Sequence, residues 1–509
     1  MLAQVLSSAI WGIEAYPVEV EVDIQHGLPA WTTVGLPDTV VKESKERIRS
    51  AIKNCGYQFP SDRITINLAP ASRKKQGSAL DLPIALGILA ANGQIKEKKL
   101  KEYLFLGELS LDGTIKSVKG VLPVALLVKK LGIKGLIIPQ KNIAEAAIVP
   151  DIEVIPVKNL VEVVEFLNGL KELPKASLNA KEIFVQETTE KIDFQEIKGQ
   201  THAKRALEIA AAGGHNVLMV GPPGSGKTML ARRLPTILPP LSFEEALETT
   251  RIYSVAGLLP SGQALITKRP FRAPHHTISD AGLIGGGQTP KPGEVTLAHN
   301  GVLFLDELPE FKRNVLEVLR QPLEDGRVTI SRVGATITYP ARFLLICAMN
   351  PCPCGYLGDP KHQCTCTYAQ IQRYRARVSG PLLDRIDLHI EVPAVNYQDL
   401  KQPPQGETSA EIRKRVEAAR KIQLKRLQGT GIYCNAQMTP KMVNEFCKLD
   451  AAGHNLLETA MERLGLSARA YTRTLKIART IADLEDEKNI LPQHIAEAIQ
   501  YRSMDREIG

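Results

Sequence analysis

Cysteine is scarce in this sequence, eight residues in 509, too few for a disulfide-stapled scaffold. No window reaches the roughly 18 strongly apolar residues that a membrane span needs. The nearest uncharged stretch, Ile209 to Gly226, is broken by Gly, Pro, His and Asn. No Lys or Arg precedes Lys42, so the basic region of a secretory signal is missing and a cytoplasmic protein is expected. Internal repeats and low-complexity segments are lacking too. With 44% hydrophobic and 23% charged residues, a disordered or fibrous chain is excluded.

What is present is length enough for three to four domains at ~150 residues each. Lys plus Arg number 64 against 55 Asp plus Glu, a net charge of +9, which tilts weakly toward a polyanionic partner such as nucleic acid. From Pro17 to Asp23, Val18, Val20 and Val22 alternate with Glu19, Glu21 and Asp23, as in a half-buried strand. Strand-like runs at 64–70, 103–113 and 135–139 interleave with helical patterns at 79–91, 120–131 and 159–168, which predicts an α/β module over 1–170. Residues 171–192 are polar and poorly periodic, as in a linker. Residues 193–400 contain continuous apolar runs at 216–221, 301–307 and 341–350, the mark of a parallel sheet buried on both faces. Residues 401–509 carry amphipathic helical patterns at 409–427, 440–447, 452–463, 467–483 and 492–501.

Gly221-Pro222-Pro223-Gly224-Ser225-Gly226-Lys227-Thr228 fits G-x-x-x-x-G-K-[ST] between a predicted strand and a predicted helix. In that context glycines let backbone N–H groups turn around phosphate oxygens, while the helix N-terminus adds partial positive charge. Lys227 then reaches the β/γ-phosphates of ATP and Thr228 holds Mg²⁺. GVLFLDEL ends an apolar strand in Asp306, a metal partner, and Glu307, a general base for the attacking water. A third strand ends in Asn350, able to bond water or γ-phosphate, although an Asn before Pro351 is also a natural turn residue. Cations are needed against the charge developing on the γ-phosphate. Arg385 lies between apolar residues before a strand, and Arg469 and Arg473 sit one turn apart at the start of a helix; an ion-pair role is the competing reading for each.

Taken in order, GPPGSGKT, GVLFLDE, AMNPCPCG, LLDRID and LSARAYTR resemble an AAA+ ATPase of the magnesium-chelatase-like branch. RPFRAPHHTISDAGLIGGG (269–287) is similar to that branch's insertion, and RVTISRVGATITYPARF (327–343) to its pre-sensor β-hairpin. Nearly the whole chain resembles the bacterial ComM/YifB family. The resemblance implies an AAA+ P-loop core with a helical lid, Asn350 as sensor 1, Arg385 as an arginine finger acting on a neighbour's ATP, and Arg469 as sensor 2, with Arg473 its rival. Residues 1–170 resemble the Lon-protease-like fold of the ribosomal S5 domain-2 type. On that family's segments the serine nucleophile falls on Ala79 and the lysine base on Leu122, so the protease dyad is absent; Ser78 and Lys119 stand close to those places.

Cys352, Cys354, Cys364 and Cys366 form two C-x-C pairs, a set of soft thiolates suited to tetrahedral Zn²⁺ in a structural site. Free thiols or a redox pair are the competing reading, and His362 could replace one cysteine. The leading functional reading is an ATP-driven motor on DNA. Arg332 near the hairpin tip, and Lys268, Arg269, Arg272 and Lys291 of the insertion, offer phosphate contacts. The resemblance implies a hexamer with helicase or branch-migration activity on single-stranded or branched DNA, in recombination during natural transformation, beside recombination proteins. The alternatives are an ATP-dependent Lon-like protease and a chelatase-type motor that remodels a protein partner.

Overall fold

The alternation around Val18 yields a strand longer than its pattern. Leu2–Trp11 (β1) and Glu14–Gln25 (β2) pair antiparallel, with Leu2 opposite Asp23 and Trp11 opposite Glu14. Val18, Val20 and Val22 are wholly buried, because every second side chain of β2 faces the core. Ala30–Val34 (β3) runs parallel to Arg63–Ala69 (β4), completing a sheet of order β1-β2-β4-β3. The helix Asp81–Ala91 packs on it and is buried on all sides, as its almost uninterrupted apolar sequence requires. Tyr103–Phe105 (β5), Gly135–Pro139 (β6) and Glu153–Val157 (β7) form a second, parallel sheet. The helices Val121–Leu131 and Leu160–Asn168 lie where their patterns place them.

The computed structural model describes residues 1–178, 184, 192–260, 262–287, 290–332, 335–360, 362–395, 406–464 and 467–502. Two units emerge: Met1–Glu187 with Ser242–Thr267, and Thr188–Leu241 with Lys268–Gly509. Most of the expected linker at 171–192 lies outside the described residues. The sequence pattern assigns 242–267 to the second domain, whereas the structure groups it with the first unit. Its helix, Phe243–Ala256, starts at a capping box of Ser242 and Glu245. Ser254 Oγ donates to buried Glu145 Oε2 at 2.6 Å, and the Gly120 N–H donates to Ser254 O at 3.0 Å. An amphipathic period shows that a helix has a buried face, but not which core receives it.

In the second unit Val217–Val220 (β8), Phe271–Arg272 (β9), Val302–Leu305 (β10), Leu344–Met349 (β13) and Leu388–Glu391 (β14) form a wholly parallel sheet of order β9-β10-β13-β8-β14. Arg327–Arg332 (β11) and Ala335–Pro340 (β12) make a separate antiparallel hairpin. Every residue of β8, β10 and β13 is buried, which is why these strands read as unbroken apolar runs. The chain leaves β8 for the far edge of the sheet, a strand order that in open α/β sheets puts ligand sites outside the carboxyl ends of the central strands. The carboxy-terminal helices are Ser409–Arg426, Pro440–Phe446, Ala451–Leu464, Ala468–Leu484 and Pro492–Gln500. The first begins at a capping box, with Thr408 N donating to Glu411 Oε2 at 2.8 Å. This is a mixed α/β fold with a parallel-sheet core and a helical carboxy-terminal region. Among the described residues no helix is long and apolar enough to cross a membrane.

Candidate nucleotide site

The loop 221–226 leaves the carboxyl end of β8 and turns directly into the helix Lys227–Ile237. Three glycines are required by geometry: a Cβ on Gly221 would clash with Val392 O, and Gly224 and Gly226 have φ +75° and +88°. Lys227 is only 8% exposed. Its Nζ donates to Gly221 O at 2.7 Å and Pro222 O at 2.8 Å, and reaches Asn350 Oδ1 at 3.3 Å and Ser225 Oγ at 3.4 Å. Burial pushes its amine below the usual lysine range, against the pull of Asp306. These contacts are made by the ends of β8 and β13.

The end of β10 completes the group. Thr228 Oγ1 donates to Asp306 Oδ2 at 2.8 Å, and the Glu307 N–H donates to Asp306 Oδ1 at 3.0 Å. A hydroxyl and a carboxylate oxygen side by side are hard donors of the kind Mg²⁺ takes, so the residues present fit that ion. Glu307 has φ +54°, in the left-handed region, and its Oε2 lies 3.1 Å from His276 Nδ1. The sequence motifs do not single out His276. Its one local signal is the His275-His276 pair just beyond β9.

Arg385 stands apart from this group. It is 7% exposed, and its guanidinium donates to the Glu324 carboxylate and, at 2.5 Å, to Pro381 O. Arg469 Nη1 lies 3.4 Å from Asp384 Oδ2 and its side chain is 62% exposed. Arg473 instead donates to Asp387 Oδ1 at 2.9 Å. Burial works to raise the Asp387 carboxyl, but Arg473 and the hydrogen bond with His215 hold it well below the usual carboxylate range.

The four clustered cysteines converge, with all their Sγ atoms within 4.8 Å of one another. Cys352 Sγ lies 3.3 Å from Cys354 Sγ and 3.7 Å from Cys364 Sγ. The Cys354 N–H points at Cys366 Sγ, 3.4 Å away. Backbone N–H groups of Tyr356 and Thr365 pull the Cys354 thiol down to about 6. His362 is turned elsewhere, with Nδ1 3.6 Å from Asp359 Oδ1. Among the described residues the four thiols make the cluster.

Two of the candidate DNA contacts are engaged within the chain. Arg269 donates to Pro239 O at 2.5 Å, Asn300 O at 2.7 Å and Pro240 O at 3.2 Å, tying backbone segments together. Arg272 makes a bidentate pair with Glu294 at 2.6 and 2.7 Å. Lys268 and Lys291 are exposed. Val333, Gly334 and the Arg332 side chain lie outside the described residues. In the first unit Ser78 Oγ donates to Glu108, and among the described residues it shares no hydrogen bond with Lys119.

Three family models match the chain: Subunit ChlI of Mg-chelatase over residues 20–142, Magnesium chelatase, subunit ChlI over 193–400, and Magnesium chelatase, subunit ChlI C-terminal over 406–502. The chain is 48% identical to competence protein ComM of Haemophilus influenzae, across 99% of this chain and 98% of the relative. It is 46% identical to YifB of Escherichia coli K12, with the same coverage of each. A magnesium-chelatase 38 kDa subunit of Rhodobacter capsulatus is 27% identical over 31% of this chain and 50% of its own length. Identity at this level along nearly the whole length places the chain in the ComM/YifB family of magnesium-chelatase-like AAA+ proteins.

Proposed function

We propose that the protein is an ATP-driven motor, assembled as a homo-hexameric ring, that moves on single-stranded or branched DNA in the cytoplasm. It would act as a helicase or branch-migration enzyme in recombination of DNA taken up during natural transformation, together with recombination proteins. The observation that carries the ATPase part is the junction of three strand ends, where Lys227, Thr228, Asp306 and Asn350 meet within hydrogen-bond distance. Lys227, now bonded to loop carbonyls, exchanges those bonds for β- and γ-phosphate oxygens when ATP enters. Thr228 and Asp306 would hold Mg²⁺, which neutralises phosphate charge when bound. Glu307 accepts the proton of the attacking water, and Asn350 orients that water or the γ-phosphate.

Support for DNA as the track comes from the net charge of +9, the exposed Lys268 and Lys291, the β11–β12 hairpin and the name of the competence-protein relative. The four thiols would hold Zn²⁺ as a structural pin for the loop after Asn350. The test is the ATPase rate of the full chain alone and with single-stranded, double-stranded or branched DNA. Stimulation by single-stranded or branched DNA is expected. A rate indifferent to all three would shift the reading to a chelatase-type motor that remodels a protein partner.

A further inference from the structure

The second unit also holds a basic hollow that the nucleotide chemistry does not use. Its walls come from two segments. Phe311 and Arg313 follow β10 and the turn Leu308–Glu310, while Arg373, Ala376 and Arg377 come from the end of the helix Tyr368–Arg375, which Thr367 caps directly after Cys366. Arg373 and Arg377 stand one turn apart and so share a face. The hollow measures about 250 Å³, room for about eight waters at ~30 Å³ each.

Its charges do not cancel. Arg377 Nη1 donates to both oxygens of Glu310, at 2.9 and 3.0 Å. Among the described residues the side chains of Arg313 and Arg373 share no hydrogen bond and no ion pair. The Glu317 carboxylate, bonded to Arg320 at 3.1 Å, is near enough to feel Arg313 but does not pair with it. Three guanidinium groups thus meet at one hollow with a single paired carboxylate beside it. Phe311, 3% exposed, adds an apolar wall, and low-dielectric walls focus the field of such cations on an entering anion. The planar guanidinium fork matches two oxygens of a phosphate.

We infer that this hollow binds a backbone phosphate of a nucleic-acid strand, a contact additional to Lys268, Lys291 and the hairpin; the inference rests on the proposed DNA motor. Arg313 and Arg373 supply the forks, and the volume admits the phosphate with its sugar, whose apolar face meets Phe311. A lone carboxylate from a second copy of the chain would fill only a small part of that space. A contact of this type holds the strand without reading its sequence.

The experiment uses the full chain and the variants Arg373→Lys, Arg373→Gln and Arg313→Gln/Arg373→Gln. It measures binding of a fluorescent single-stranded oligonucleotide from about 50 to 200 mM salt, the kcat and KM of basal ATP turnover, and the size of the assembly. For the double variant, binding weaker on the order of fivefold is expected, with the salt slope of log K lower by about 0.7, the value for one phosphate on a single strand. Arg373→Lys should keep the slope, and kcat, KM and assembly size should match the unmodified chain. An unmodified chain that binds no oligonucleotide removes the motor reading and this site with it. Where the unmodified chain binds, an unchanged slope in the double variant overturns this site alone. A smaller assembly in the double variant would give the arginines to a neighbour's carboxylate, and a raised KM would give them to free nucleotide; either result overturns the inference.

Discussion

Thr228 Oγ1 donates to Asp306 Oδ2 at 2.8 Å, so the hydroxyl that opens the phosphate-loop helix and the carboxylate that closes β10 already touch where a phosphate-bound cation would sit. Their neighbours have separable roles. Lys227→Ala should lose ATP affinity together with turnover. Glu307→Gln should bind ATP normally while kcat falls by on the order of 10²–10⁴-fold, the usual scale of general-base loss. Equilibrium binding of a fluorescent analogue beside steady-state turnover separates the two; normal turnover in both variants would remove the site.

Arg469 and Arg473 stand one turn apart on the helix Ala468–Leu484, yet the structure gives them different work. Arg473 and Asp387 are 19% and 12% exposed at their side chains and form a direct ion pair; stranding a partner of a buried pair costs about 3–5 kcal/mol. Arg473→Ala should therefore lower the unfolding midpoint. Arg469→Ala should change stability by less than ~0.5 kcal/mol, as for an exposed pair, and impair ATP turnover as sensor 2. The Asp387 carboxyl titrates below its unfolded value of ~3.9. Its charged form thus contributes stability above about pH 4, lost as pH falls through the folded-state value. Chemical denaturation between pH 5 and pH 2 should show that acid loss flattened in Asp387→Asn.

How far the sequence led depended on how local each signal was. The phosphate loop, Asp306 just after β10 and Asn350 just after β13 were legible because an apolar run followed by a polar residue is a contiguous pattern, and their meeting follows from parallel neighbours in one sheet. The five carboxy-terminal helices were legible from their period. The helix Thr39–Asn54 went unread: its mostly polar sequence buries only Val41, Ser44, Ile48, Ala51 and Ile52. Pairings chosen by tertiary packing left no local trace at all. Nothing beside Arg272 announces Glu294, nothing beside Glu307 announces His276, and a basic residue in an insertion reads alike whether it faces phosphate or an internal carboxylate.

Arg385 illustrates the same limit for the arginine-finger role that the resemblance implies. In the single chain its guanidinium is paired with Glu324, so service to a neighbour's ATP requires that pair to open on assembly. Rings mixed from inactive Arg385→Ala and inactive Lys227→Ala chains should recover part of the ATPase rate, because some interfaces then join an intact Arg385 to an intact Lys227. Verified mixed rings without recovery would count against action in trans.

The cysteine cluster predicts one zinc ion per chain, measurable by elemental analysis of protein purified without chelator. Four thiols within 4.8 Å are compatible with a closed site that adds fold stability and has no open position for catalysis. Cys364→Ser should abolish stoichiometric metal and lower the thermal midpoint. A metal-free chain with unaltered stability and ATPase activity would return the four residues to ordinary thiols.

The last expectation concerns the grip on DNA. Arg272 is spent on Glu294 and Arg269 on three backbone carbonyls, so removing either should reduce stability before it reduces DNA affinity. Lys268 and Lys291 are exposed, and Arg332 ends β11 at the turn of the hairpin. If these three hold phosphates, each Ala variant should weaken binding about equally across sequences and lower the salt slope of log K by about one unit for each phosphate no longer held. Arg332→Ala should also keep basal ATPase activity while losing DNA stimulation and strand displacement. Titrations from about 50 to 200 mM salt on single-stranded and branched DNA check this; an unchanged slope together with unchanged stimulation in Arg332→Ala would take the hairpin out of the DNA path and leave the insertion lysines to carry the track.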